Sequence, residues 1–73
     1  MAKKGGGAVY RVTEVIGTSS TSWEDAARNA VGTAAASLRD LRIAEIEKLD
    51  VKIENGKVTQ FRARMALSFK YEG

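Results

Sequence analysis

The dipeptide Asn55-Gly56, set between two long strand-like runs, constrains this chain more than any other feature. Asn-Gly takes φ > 0 at both centres of a type I′ turn with little cost, and with alternating, β-branched flanks it predicts a two-residue hairpin. From Lys57 to Tyr71 the alternation is nearly unbroken. Phe61, Ala63, Met65, Leu67, Phe69 and Tyr71 fall on one side, and Gln60, Arg62, Arg64, Ser68 and Lys70 on the other. Each arm would run about 40 Å at roughly 3.3 Å per residue. The single helix candidate, of about 17 residues, spans roughly 25 Å. One helix does not cover such a hairpin, so the expected cover is another copy of the same chain.

Size leads to the same expectation. The chain has 73 residues, a length at which one core supplies only about 3–5 kcal/mol. It has no Cys, His or Pro, which removes disulfides and zinc as staples and leaves oligomerisation. The lack of Cys suits a reducing cytoplasm, the expected location. No apolar run approaches the ~20 residues of a membrane span, and no signal-peptide core follows Met1, so no membrane partner is expected. The net charge is +3, and Lys3 and Lys4 lie beside Gly5-Gly6-Gly7. Residues 1–7 therefore read as a flexible basic tail ahead of one folded domain at 8–73. Charges elsewhere are of mixed sign, which favours a solvated tail over a nucleic-acid-binding one.

Ala8 to Ile16 reads as a first strand, with Val9, Thr13 and Val15 on one face and Tyr10, Val12 and Ile16 on the other. Gly17 to Thr21 reads as a polar loop. Ser22 is the expected N-cap, with Asp25 in capping-box position and Glu24 near the positive helix end. Trp23, Ala26, Ala27, Ala30, Val31, Ala34, Ala35 and Leu38 recur at spacings of three and four and form one apolar stripe. Alanines set its width, so the helix can lie close to a sheet. It is expected to end near Asp40. The fold class is α+β in the order β-α-β-β.

The second strand, Leu41 to Ile53, breaks its own pattern. Ala44 and Ile46 are apolar at even positions, whereas Leu49, Val51 and Ile53 are apolar at odd ones. Either a bulge intervenes near Lys48, or both faces are covered at different places along the strand. A regular two-residue hairpin sets Ile46 opposite Met65 and Ala44 opposite Leu67, facing the helix. It sets Leu49 opposite Arg62 and Glu47 opposite Arg64, facing away. The outer face then carries Ile43, Glu45, Glu47, Leu49, Val51, Arg62 and Arg64, a mixture expected of a subunit interface or a ligand pocket.

The catalytic inventory is thin, and no enzyme is expected. There is no His to act as a base and no Cys to act as a nucleophile. The hydroxyls at Thr18 to Ser22 are better explained by turns and caps. Gly5-Gly6-Gly7 opens no helix and so cradles no phosphate. The pairs Glu45/Glu47 and Asp50/Glu54 carry oxygens suited to a hard cation. No loop has an EF-hand pattern, so such a site would be assembled between strands or subunits. The simpler reading is cross-strand salt bridging, such as Glu47 with Arg64.

The run Glu14-Val15-Ile16-Gly17-Thr18-Ser19 resembles the dodecin family. So do Ser22-Trp23-Glu24-Asp25-Ala26-Ala27, Ala44-Glu45-Ile46 and Ser68-Phe69-Lys70-Tyr71-Glu72. The resemblance covers nearly everything after the glycine tail. It implies a three-stranded antiparallel sheet wrapped around one helix, with twelve copies forming a hollow shell, a homododecamer. It also implies a protein that stores or sequesters a small ligand, in most members a flavin.

The departure from the family falls at the binding site. Ile43 stands where flavin-binding members carry a stacking Trp, and Arg62 where they carry a Gln that hydrogen-bonds the flavin edge. Ile offers apolar area but no π face, and stacking on an aromatic contributes about 1–3 kcal/mol. Trp23, at the helix start, reads as a core anchor. The chain thus resembles the flavin-less, calcium-dodecin-like branch, in which calcium is the implied ion and flavin is not expected. Ile43, Glu45, Arg62 and Arg64 match the ligand pocket, and Glu45 and Glu47 are the candidate metal ligands. The alternatives are a flavin-sequestering dodecin and a structural interaction module.

Overall fold

A computed structural model describes Gly7 and residues 9–70. The elements are β1 (Tyr10–Ser19), α1 (Trp23–Ala35), β2 (Leu41–Glu54) and β3 (Lys57–Lys70). The three strands form one antiparallel sheet in the order β1-β3-β2. The hairpin turns where expected: Asn55 (φ 52°) and Gly56 (φ 75°) both take the left-handed conformation of a type I′ turn. The basic tail, Gly7 apart, lies outside the described residues.

β1 runs three residues past its expected end. Gly17, Thr18 and Ser19 are not a free loop but pair with Ala63, Arg62 and Phe61. Gly17 permits this, because the start of α1 lies directly over it. Ser22 caps the helix, its Oγ accepting from Asp25 N at 3.0 Å. Asp25 does not complete a capping box. Its Oδ2 accepts instead from Ser19 Oγ at 2.7 Å, and Ser19 Oγ in turn accepts from Thr21 N at 2.9 Å. The hydroxyl cluster is therefore a turn-and-cap network, as its composition suggested.

α1 ends at Ala35, well before Asp40. Ser37 N and Leu38 N both donate to Ala34 O, at 3.0 and 2.8 Å. This tightens the last turn and folds Leu38 back onto the core. Asp40 then takes φ 53°, and its carbonyl accepts from Lys70 N at 3.2 Å as β2 begins. At 13 residues the helix is about 20 Å long, shorter still against the hairpin.

The helix packs chiefly on β1 and β3. Ala26, Ala63, Met65 and Leu67 are fully buried, with Val15, Ala27, Ala30, Val31, Ala34, Leu38 and Leu41 around them. β2 and the start of β3 lie largely beyond the helix, so Ile46, Leu49, Ile53 and Val58 stay exposed. The described residues extend over 58 × 21 × 15 Å.

The break in β2 is a bulge. Ala44 pairs with Leu67 and Ile46 with Met65, but the next pair is Lys48 with Arg64, which leaves Glu47 as the extra residue. Leu49 therefore lies opposite Ala63 and Val51 opposite Phe61. The regular register is corrected from this point: Leu49 and Val51 belong to the helix side, not the outer face, and Arg62 faces Asp50 rather than Leu49. The inserted residue restores a single apolar face, since alternation resumes one step later.

Trp23 is not within the core. It is 39% exposed, its indole N–H donates to Asp50 O at 3.0 Å, and its ring meets Phe61 edge-on at 5.3 Å. It ties the helix start across β3 to β2.

Candidate functional site

The sheet face away from α1 can be read rung by rung from the register. Val12, Ser68 and Ile43 form one rung, and Glu14, Ala66 and Glu45 the next. Ile16, Arg64 and Lys48 follow, then Thr18, Arg62 and Asp50. Cross-strand partners share a face, so Ile43, Glu45, Arg62 and Arg64 all lie on this side, as expected. Ile43 is 59% exposed.

Small Ala66 leaves room between the carboxylates of Glu14 and Glu45. Glu47, at the bulge, joins them. Its carboxyl is raised above the ordinary value, first by partial loss of water over the crowded sheet. A hydrogen bond with Glu14 and the negative charges of Glu14 and Glu45 add to the rise, and Arg64 only partly offsets it. The expected Glu47–Arg64 salt bridge does not form among the described residues. The bulge turns Glu47 toward Glu14 and sets Lys48 across from Arg64.

Arg62 is held. Its Nε donates to Asp50 Oδ1 at 2.7 Å and its Nη2 to Asp50 Oδ2 at 3.1 Å. This fork holds the Asp50 carboxyl below its ordinary value and raises the guanidinium. Sequence reasoning missed both Glu14 and the Asp50–Arg62 pair. The parity of Tyr10, Val12 and Ile16 places Glu14 on this face, but only the strand order brings β1 level with β2 across β3. The Asp50 pairing follows from the register shift at Lys52/Ile53, which a regular hairpin does not predict.

A shallow depression of roughly 310 Å³ lies at Glu14, Val15, Ile16 and Arg64. A larger groove, roughly 460 Å³, opens between β1 and α1 beside Val15, Gly17, Ala30, Ala34 and Leu38. It has no titratable lining, so the charged chemistry belongs to the outer face despite the smaller hollow there. Among the described residues no three Asp, Glu, His or Cys side chains are gathered to hold a metal ion. Glu45 and Glu47 share a face but do not enclose a site within one protomer. Stacking is poorly provided for: of the described aromatics only Tyr10 lies on this face, at the far end opposite Lys70.

Among the described residues no helix is long and apolar enough to cross a membrane. A family model described as Dodecin matches residues 9–72. The chain is 44% identical over 63 residues to calcium dodecin of Mycobacterium tuberculosis, covering 85% of this chain and 87% of that protein. Dodecin from Streptomyces coelicolor superposes with a TM-score of 0.86 at 39% identity, over 90% of this chain and 94% of its own. The crystal structure of the Mycobacterium tuberculosis calcium dodecin, described as calcium chelating with a calcium-binding site, gives 0.79 at 41% identity, over 89% and 93%. Sheet order, helix placement and family match converge, and the chain belongs to the dodecin family.

Proposed function

We propose that this chain is a binding and sequestering protein, not an enzyme, that assembles as a dodecin-type dodecameric shell. It holds a divalent cation, calcium first, on the outer sheet face and binds flavin weakly. It acts in the cytoplasm, with no membrane or nucleic-acid partner. The carrying observation is the acidic character that Glu14, Glu45 and Glu47 give to a face where Ile43 offers no stacking surface, although the three are not gathered into a cation site within one protomer. The calcium-binding relative supports the same reading. Carboxylate oxygens suit calcium, which takes 6–8 oxygen ligands at about 2.3–2.6 Å. One protomer supplies too few, so Glu45 and Glu47 would act with backbone oxygens, water or a neighbouring copy. A cation would also relieve the repulsion that raises the Glu47 carboxyl.

Titration calorimetry of calcium into wild type and Glu45→Gln tests this. Wild type is expected to give saturable heat and the variant at least tenfold weaker binding. Equal heats would remove Glu45 from the site, and no heat from either would remove calcium from the function.

Assembly is supported by exposed apolar side chains on both faces: Val12, Ile16 and Ile43 outside, and Ile46, Leu49, Ile53 and Val58 beyond the helix. Light scattering at micromolar concentration is expected to give about twelve times 7.9 kDa. A monomer or dimer would sink the shell.

A further inference from the structure

Asp50 and Arg62 form the best-held polar pair on the outer face. Both carboxylate oxygens accept, at 2.7 and 3.1 Å, and the two side chains are only partly exposed. Asp50 rather than Leu49 lies opposite Arg62 because residues 48–52 pair one residue out of the regular register, between the irregularities at Lys52/Ile53 and Ile46/Lys48. Two residues along β3, on the same face, stands Arg64, with Lys48 across from it. Arg62 and Arg64 are thus about 6.6 Å apart along the strand, within reach of one diphosphate. Without Asp50 this stretch would present Lys48, Arg62 and Arg64 side by side.

A guanidinium fork recognises phosphate and carboxylate oxygens with the same geometry. A carboxylate already fixed against the fork competes with any incoming anion as an intramolecular ligand, at high effective concentration.

We propose that Asp50 sets the class of ligand this face accepts: by occupying Arg62 it withholds the site from phosphorylated anions. The face is then governed by the Glu14, Glu45 and Glu47 carboxyls. The inference goes beyond the cation reading and shares with it only the premise that ligands reach the outer face.

The test is titration of inorganic pyrophosphate, in calcium-free buffer, into wild type, Asp50→Asn, Arg62→Gln and the double variant. Asp50→Asn is expected to bind at least tenfold tighter than wild type. The double variant is expected to return to the wild-type level. Arg62→Gln alone is expected to bind no tighter than wild type, because Arg62 is already committed and its loss frees the Asp50 carboxylate. Asp50→Asn binding no tighter than wild type would overturn the proposal. So would a double variant that binds as tightly as Asp50→Asn, or tighter binding by Arg62→Gln than by wild type, a comparison that stands even if Asp50→Asn does not fold. Calcium heats are measured separately, so loss of the cation reading leaves these outcomes interpretable.

Discussion

Replacing Gly17 with valine is expected to abolish the native fold. A Cβ at this position would collide with the carbonyl oxygen of Ala26 and lie 2.8 Å from Ala30 Cβ. The first obstacle is helix backbone, which has no rotamer to escape into. Relief requires α1 to lift off β1, and that uncovers Ala63, Met65 and Leu67, the centre of the only extended core among the described residues. Overpacking typically costs about 1–3 kcal/mol and more where rigid backbone is the obstacle, as here, against a stability of about 3–5 kcal/mol for one small core. Gly17→Ala is expected to be severely destabilised as well. Gly32→Ala is the control: a methyl group placed there would meet nothing within 4 Å, and alanine in a helix is favoured over glycine by about 1 kcal/mol. Circular dichroism melts should thus move in opposite directions for two Gly→Ala changes 15 positions apart. A Gly17→Ala protein melting with wild type would refute the close packing of α1 on β1.

Ile43→Trp is expected to give riboflavin binding at least fivefold tighter than wild type. The position is open on the outer face, and an indole there adds a stacking surface of about 1–3 kcal/mol, roughly 5- to 150-fold. Adding Arg62→Gln is expected to tighten binding further by presenting an amide to the ring edge. Arg62→Gln alone is expected to do little, since it adds a hydrogen-bonding group without a stacking face and leaves Asp50 without its fork. Quenching of riboflavin fluorescence across the four proteins measures the order. Wild type quenching as tightly as the double variant would move the pocket away from these positions.

Much of this was legible in the sequence because it depends on local rules. Asn55-Gly56 specified the turn, Ser22 the helix start, and the parity of Ala63, Met65 and Leu67 the buried face of β3. What escaped depends on interactions between elements. The conflicting parity of Ile46 and Leu49 announced a bulge without choosing it over two covered faces. That ambiguity put Leu49 and Val51 on the wrong side and hid the partner of Arg62. The helix looked longer because Leu38 continues its stripe, yet Leu38 reaches the core through a turn. Trp23 looked like a core residue because size and apolarity do not reveal that its N–H reaches Asp50 O. Ile43, Glu45, Glu47 and Arg64 share a face as read, but the company of Glu14 follows from β3 lying between β1 and β2.

The bulge also bears on which insertions and deletions this lineage can tolerate. Losing one residue inside a strand ordinarily turns every later side chain to the opposite face, and a buried sheet does not survive it. Glu47 is an exception, because it has no partner across the ladder. Excising it would leave Lys48 with Arg64, Leu49 with Ala63 and Asp50 with Arg62, while Ile46 stays with Met65. A codon can therefore vanish from the middle of the edge strand β2 and take with it one carboxyl and some local twist. The fold could gain or shed that acid over evolutionary time without rewriting the rest of the hairpin.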